Sequence, residues 1–355
     1  MQGLRIAVGG ATGNVGTEML RVLEQRNFPA AEVVPLASAD SAGRRVPFRG
    51  AELVVRDLAG FDFRDTDLLL LSTGAANARE TAPRAAAAGC IVIDNSSAFR
   101  MDAEMPLVVP EVNPDALSGW SARRILPVAN CSTIQLVVAL APLHAAAGLR
   151  RVVVSTYQSA SGGGRRLMER LLSPYDPVTV DMRGLRRQAQ AALEAGGDKP
   201  LPFNVVPHID VFLEDGRTKE EWKMEAETRK ILGLPHLPVS ATCVRVPVLV
   251  GHAEAITIDL ERPLPAEEAR ALLAAAPGLR VVDERRTGGY ATPLEVAGTD
   301  EVFVSRLRED RAFRHGLALW VVADNVRKGA ALNAVQIAEA LLRRGDAFGG
   351  RGAVR

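Results

Sequence analysis

The chain has 355 residues, of which 47% are hydrophobic and 24% are charged, a composition typical of a folded protein of about two domains. Its 43 basic and 42 acidic residues leave a formal net charge of +1, which gives no electrostatic reason to expect nucleic acid or an anionic membrane as a partner. The three cysteines cannot all pair, and no apolar run approaches the ~20 residues of a membrane span. We therefore expect a cytoplasmic protein.

The first third of the chain predicts strands and helices in alternation. Residues 4–10 are typical of a buried strand, and residues 15–26 are typical of an amphipathic helix. Further apolar strands are predicted at residues 32–38, 66–73 and 90–97, with an alanine-rich helix at 76–89. Apolar strands that alternate with helices indicate an α/β fold with a parallel, Rossmann-like sheet covered on both faces.

A glycine-rich segment, VGGATGNVG, joins the first strand to the first helix. Gly10, Gly13 and Gly16 fit a G-x-x-G-x-x-G pattern. Glycines at these places let the backbone turn tightly and bring free N–H groups of the helix terminus to a pyrophosphate. The pattern predicts a dinucleotide site, and the alternative is a glycine turn that binds nothing.

The end of the second strand, LASADSAGRR, is expected beside the adenosine ribose of such a cofactor. Ser38 and Ser41, with Arg44 or Arg45, could bind the 2′-phosphate of NADP. Asp40 would repel that phosphate and suits the free ribose diol of NAD. The residues leave both cofactors open at this position.

Cys131 lies in VANCSTIQL, where an extended segment at residues 125–129 is followed by a helix that begins near Ser132. A helix N-terminus lowers the pKa of a thiol, and a nucleophilic cysteine also uses a nearby base. Among the five histidines, His252 is the best candidate, because it follows a glycine between two strand patterns. The alternative for Cys131 is a buried apolar role, which is also the expectation for Cys90 and Cys243.

Beyond Cys131 the pattern changes to alternating, β-branched segments with few helices between them. Such segments favour a mixed or antiparallel sheet with one covered face, in a second α+β domain. The last helix, over residues 325–344, has the apolar spacing to pack back on the first domain. The predicted domains are therefore residues 1–130 with 326–355, and residues 131–325.

Eight segments together resemble the aspartate-β-semialdehyde dehydrogenase family, in the same order and over nearly the whole chain. They are GATGNVG, DNSSAFRM, VPEVNP, NCSTIQ, YQSASGGG, EEWKMEAETRKI, RVPVLVGHAE and DNVRKGAALNAVQIAE. The resemblance implies a second domain like that of glyceraldehyde-3-phosphate dehydrogenase, a homodimer and no metal. It also implies NADP-dependent reductive dephosphorylation of L-aspartyl-4-phosphate to L-aspartate-4-semialdehyde, on the route to lysine, threonine and methionine.

The resemblance also assigns roles to particular residues. Cys131 is the nucleophile and His252 the proton-transfer residue. The residues that contact the substrate are Arg100, Asn130 and Lys223 for the phosphate, Arg245 for the α-carboxylate, Glu220 for the α-ammonium and Gln158 for the acyl group. The residues that contact the cofactor are Gly10, Thr12, Gly13, Asn14, Val15, Ser38, Asp40, Ser41, Ser161, Gly162 and Asn325.

Some of these residues could serve the fold alone. Thr218 and Glu221 form a capping box, so a helix is expected to start there. On that helix Glu220, Lys223 and Glu227 lie at helical spacing, and a solvated ion-pair face would account for them without a ligand. Arg245 differs, because a charge within an apolar strand needs a partner. Two rival functions are N-acetyl-γ-glutamyl-phosphate reduction and non-catalytic dinucleotide binding. The substrate of the first has an acylated amine, so a carboxylate such as Glu220 would have no ammonium to bind.

Overall fold

The computed structural model describes residues 3–172, 186–187, 190–191, 193–194, 199–345 and 347–348, so parts of both predicted domains lie outside the described residues. The strands are β1 (Leu4–Gly9), β2 (Ala30–Ala37), β3 (Arg45–Phe48), β4 (Ala51–Val54), β5 (Arg56–Asp57), β6 (Leu68–Leu71), β7 (Ile91–Asp94), β8 (Ile125–Pro127), β9 (Leu149–Gln158), β10 (Val239–Arg245), β11 (His252–Leu260), β12 (Leu279–Val281), β13 (Val302–Asp310) and β14 (Gly316–Ala323). The helices are α1 (Asn14–Gln25), α2 (Ala75–Ala87), α3 (Cys131–Ala147), α4 (Arg165–Leu172), α5 (Lys219–Leu232), α6 (Ala266–Ala275), α7 (Pro293–Val296) and α8 (Leu332–Arg344).

The N-terminal half forms a six-stranded sheet in the order β5-β2-β1-β6-β7-β8, and every pairing in it is parallel. Its central strands are mostly apolar and buried, β6 being four consecutive leucines. The predicted parallel sheet is confirmed. The sheet brings the carboxyl ends of β1, β6, β7 and β8 to one edge, where a ligand site is expected in such folds.

The second sheet has the order β10-β9-β11-β14-β13-β12 and mixes parallel with antiparallel pairs. Burial alternates along β9, where Val152 and Val154 are covered while Val153 and Tyr157 are 40% and 38% exposed. The predicted mixed sheet with one covered face is therefore confirmed.

Helix α3 packs against the second sheet and against α5, and it is apolar almost all round, as a fully packed helix must be. Helix α8 packs against α1 and β7 of the first sheet. The single helix predicted for residues 325–344 is wrong in one respect, because a π-helical turn at Arg327–Ala331 precedes α8. No helix in the described part of the chain is long and apolar enough to cross a bilayer.

Candidate active site

A cavity of about 450 Å³ opens at the carboxyl edge of the first sheet, facing the second sheet. The first sheet supplies the segments after β6, β7 and β8, and the second supplies the ends of β9 and β10. The cavity walls include eleven residues predicted to bind substrate or cofactor or to react: Val15, Arg100, Asn130, Cys131, Gln158, Ser161, Gly162, Glu220, Lys223, Arg245 and Asn325. Packing of the two sheets therefore brings together segments that are far apart in the chain.

Cys131 is the first residue of α3, one position earlier than the sequence predicts. The side chain of Asn130 caps this helix, because its Oδ1 accepts the N–H groups of Ser132 and Thr133 at 3.0 and 3.2 Å. The expected lowering of the thiol pKa is wrong: burial, together with the charge of Glu220, raises the pKa of Cys131 to about 11. The Arg100 and Arg245 charges oppose that rise but do not overcome it.

His252 begins β11 and is completely buried, in keeping with its expected place at a sheet end. Its Nδ1 accepts the backbone N–H of Ser159 at 3.1 Å, so a neutral ring carries its proton on Nε2. Burial and the charge of Arg245 lower the pKa of His252 to about 3, which keeps the ring neutral. Nε2 has no hydrogen-bond partner among the described residues, and a side chain at Gly162 would stand 3.1 Å from it.

Asn325 holds the segment that orients His252. Its Oδ1 accepts hydrogen bonds from the Ser159 and Ser161 hydroxyls at 3.0 and 3.1 Å and from the Gly251 N–H at 2.9 Å. Its Nδ2 also donates to the Ser161 hydroxyl oxygen at 2.9 Å, so one amide hydrogen of Asn325 remains for the predicted cofactor contact.

Arg245 is a half-buried cation at the cavity wall. Its Nη1 donates to the Ser159 carbonyl at 2.8 Å, and burial lowers the pKa of the guanidinium. No carboxylate of the described residues lies within salt-bridge distance of it. Arg100 is held differently: Nη1 donates to Glu227 at 3.1 Å and Nη2 to the Asn95 carbonyl at 2.9 Å, while its buried Nε has no partner among the described residues. Both arginines keep donors for an anionic ligand.

Helix α5 starts with the predicted capping box, in which the Thr218 hydroxyl accepts the Glu221 N–H at 3.3 Å and Glu221 accepts the Thr218 N–H at 2.7 Å. The alternative of a solvated face is wrong, because Glu220 and Lys223 are only 5% and 9% exposed. The helix lies against α3 and β10, so this face turns inward.

Glu220 is surrounded by donors. Its Oε1 accepts the Asn130 and Gln158 amides at 2.9 and 3.0 Å, and its Oε2 accepts the Lys223 ammonium at 3.1 Å. Burial opposes ionisation, but Lys223 and the two amides outweigh it and lower the pKa of Glu220. Lys223 also donates to Asp210 at 2.6 Å, so one ammonium is shared between two carboxylates.

The residues at the glycine loop fit a dinucleotide. Gly10 has φ +79°, and a side chain there would meet the Ser72 carbonyl at 2.1 Å, so the turn requires glycine. Two buried polar atoms on the cavity wall, Thr73 Oγ1 and Asn95 Nδ2, have no partner among the described residues and are free to bind a ligand.

The other predicted cofactor residues lie outside this cavity. Ser38, Asp40 and Ser41 lie in a largely exposed turn after β2, next to the glycine loop, whose Gly10 N–H donates to the Leu36 carbonyl at 2.8 Å. Gly10, Thr12, Gly13 and Asn14 form the loop itself. Of the two arginines considered for the 2′-phosphate, Arg45 faces Glu52 at 3.9 Å across the β3–β4 hairpin.

Sequence reasoning missed several polar residues of the cavity, including Thr73, Asn95 and Asp210. Thr73 and Asn95 each follow a strand at the carboxyl edge of the sheet, and that position was a usable signal. Nothing in the local sequence marks Asp210, which reaches Lys223 from a loop.

Comparison with known proteins agrees with this geometry. Two family models match: "Semialdehyde dehydrogenase, NAD binding domain" at residues 5–120 and "Semialdehyde dehydrogenase, dimerisation domain" at residues 140–328. The aspartate-semialdehyde dehydrogenase of Aquifex aeolicus is 48% identical over 97% of this chain and 99% of its own length.

Two solved structures are also similar. Aspartate semialdehyde dehydrogenase II of Vibrio cholerae, complexed with ASA, is 42% identical with a TM-score of 0.87, over 97% of this chain and 99% of that one. The Candida albicans aspartate semialdehyde dehydrogenase with NADP is 26% identical with a TM-score of 0.71, over 95% and 98% of the two chains.

Proposed function

Since this chain belongs to the aspartate-semialdehyde dehydrogenase family, we infer that the cavity between its two sheets is the active site. The activity is NADP-dependent reductive dephosphorylation of L-aspartyl-4-phosphate to L-aspartate-4-semialdehyde, in lysine, threonine and methionine biosynthesis. NADPH, when bound, supplies the hydride that reduces the acyl group. The roles proposed below belong to the residues of this chain.

One observation carries the assignment of the site. Arg245 is a half-buried cation without a carboxylate partner within salt-bridge distance among the described residues, and it lines the same cavity as Cys131. Taking a cation partly out of water without a counter-charge is costly, and an anionic ligand offsets that cost. We assign Arg245 to the substrate α-carboxylate, and Arg100, Lys223 and Asn130 to the phosphate.

Glu220 connects substrate binding to the reactivity of Cys131. Its carboxylate is one of the two causes that raise the pKa of the thiol, the other being burial. A substrate ammonium placed beside Glu220 would offset that negative charge and so favour the thiolate. Cys131 is then activated mainly when the amino acid is in place, and its sulfur displaces phosphate from the acyl carbon to form a thioester.

His252 does not line the cavity itself, but its Nε2 lies directly behind Gly162, which does. Because Nδ1 is occupied by the Ser159 N–H, the free Nε2–H can donate to the acyl oxygen, where negative charge develops as the carbonyl carbon becomes tetrahedral. The same proton remains available to that oxygen until the carbonyl re-forms and the Cys131 thiolate leaves. Gln158, fixed by Glu220, faces the same space and orients the acyl group.

A phosphate-dependent assay with aspartate semialdehyde and NADP tests this assignment. Cys131→Ser is expected to lose nearly all turnover while binding NADPH as the wild type does, measured by fluorescence titration. Cys243→Ser is the matched control, because Cys243 is buried in β10 and outside the cavity. A Cys131→Ser variant with the wild-type rate would refute covalent catalysis.

We also propose a homodimer formed through the open face of the second sheet. That face carries the half-exposed apolar residues Val153 and Tyr157, and Tyr157 contacts Trp320 with ring centroids 5.4 Å apart. Light scattering should give a dimer for the wild type and a monomer for Val153→Asp. We further propose the two domains at the boundaries predicted above and a cytoplasmic location, which the three free cysteines fit.

A further inference from the structure

One face of α5 carries four charged residues at helical spacing: Glu220, Lys223, Glu227 and Lys230. The proposed reaction uses the first two. Glu227 is 1% exposed, and Lys230 is half-buried at the last turn of the helix. Neither residue lines the cavity, so neither is expected to touch the substrate.

Glu227 links Arg100, which is assigned to the phosphate, to Asn130 at the start of α3. Its Oε1 accepts Arg100 Nη1 at 3.1 Å, and its Oε2 accepts the backbone N–H of Asn130 at 2.6 Å. Both oxygens therefore serve as acceptors, which only a carboxyl side chain of this length provides. A glutamine would meet one of the two donors with its own NH₂ group.

Lys230 fixes the loop that carries Arg100. Its ammonium donates to the carbonyls of Arg100, Asp102 and Met105 at 2.8, 2.7 and 3.0 Å, which uses all three of its hydrogens. The carbonyls belong to a single turn that has no strand or helix to hold it. In the described structure, the Lys230 ammonium is the group that binds all three carbonyls.

We propose that Glu227 and Lys230 are positioning residues that hold Arg100 in the orientation needed to bind the substrate phosphate. This rests on the proposed phosphate role of Arg100. Glu227 and the Asn95 carbonyl accept from Nη1 and Nη2, and Lys230 holds the backbone carbonyl of Arg100. These contacts fix the orientation of the guanidinium, and therefore the direction of its unpartnered Nε. Removing the side chain of Glu227 or Lys230 leaves Arg100 in the protein but lets its guanidinium adopt several orientations.

The test uses the reaction that consumes phosphate, with aspartate semialdehyde and NADP, and full-length enzyme. Lys230→Met is expected to raise KM for phosphate about tenfold, the effect of losing one well-formed charge-assisted contact. KM for aspartate semialdehyde should change by less than about twofold, because Arg245 is untouched. The control is Arg229→Met on the adjoining face of α5, where Arg229 donates to the Leu237 carbonyl at 2.7 Å.

A double-mutant cycle separates positioning from general damage to the fold. If Lys230 acts through Arg100, then Arg100→Ala with Lys230→Met should show the same phosphate KM as Arg100→Ala alone. The same cycle is measured with Glu227→Gln and Arg100→Ala, and Glu225→Gln is the control. This second cycle replaces the first if Lys230→Met does not fold.

The outcomes are distinguishable. If Arg100→Ala raises the phosphate KM while Lys230→Met and Glu227→Gln do not, the positioning role is overturned and the phosphate site stands. Additive effects, or equal rises in the KM of phosphate and aldehyde, also overturn it. If Arg100→Ala itself leaves the phosphate KM unchanged, the proposed role of Arg100 is refuted, and the positioning role with it.

Discussion

Glu254 is expected to lower the stability of this protein as the pH rises. It is completely buried on β11, two residues from His252, and both of its oxygens lack a partner among the described residues. Burial raises the pKa of its carboxyl well above the ordinary value, and the neighbouring Gln135 amide offsets only part of the rise. The folded protein therefore holds a proton that the unfolded chain releases above its ordinary glutamate pKa.

The sign and size of the effect follow from this difference. Stability from the protonated carboxyl is complete below the unfolded pKa and is lost as the pH rises toward the folded pKa. Each pH unit over which Glu254 stays protonated in the folded protein and ionised in the unfolded chain removes about 1.4 kcal/mol from the free energy of unfolding. Glu254→Gln cannot titrate, and its amide can bond to that of Gln135.

The measurement is urea unfolding of wild type and Glu254→Gln at pH 5, 6 and 7. All other ionisable groups are shared, so the difference between the two unfolding free energies isolates this carboxyl. We expect the free energy of unfolding of the variant to rise relative to that of the wild type as the pH increases, by at most about 1.4 kcal/mol per pH unit. A difference that stays constant over this range would mean that Glu254 is ionised in the folded protein, and would refute the reasoning.

Three further predictions concern the active site. Glu220→Gln should speed alkylation of Cys131 by iodoacetamide in the unliganded protein at pH 8, by about tenfold for each unit that the thiol pKa falls; an unchanged rate would contradict the role of the Glu220 charge. Asp40→Arg should raise the ratio of kcat/KM for NADPH over NADH by about tenfold, because it replaces a repelling charge with a donor for the 2′-phosphate; a lower ratio would place the 2′-phosphate elsewhere. Gly329→Ala puts a methyl 2.8 Å from the Cys131 Cβ and should displace the nucleophile. We expect kcat to fall by about tenfold or more while the affinity for NADPH is unchanged. An unchanged kcat would show that the π-helical turn moves to accommodate the methyl group.

Several features were predictable because they depend on neighbours in the chain. The leucine run of β6, the glycine loop after β1 and the capping box of Thr218 and Glu221 each need only a few adjacent residues. The same holds for the helix start at Cys131, which Asn130 caps one residue away. The last helix shows the limit of such patterns: its apolar spacing is helical, yet Gly329 packs on Cys131 and the backbone widens into a π turn.

The sequence by itself determined the two kinds of sheet, the dinucleotide loop and a reactive-cysteine motif, because hydrophobic period, glycine placement and capping are local properties. Only the tertiary structure decided the charges of the site. Arg100 meets Glu227 across 127 positions, and Asn130 meets Glu220 across 90. Burial and electrostatic fields sum over such distant groups, so the neutral His252, the high thiol pKa of Cys131 and the inward face of α5 appear only once the sheets have packed.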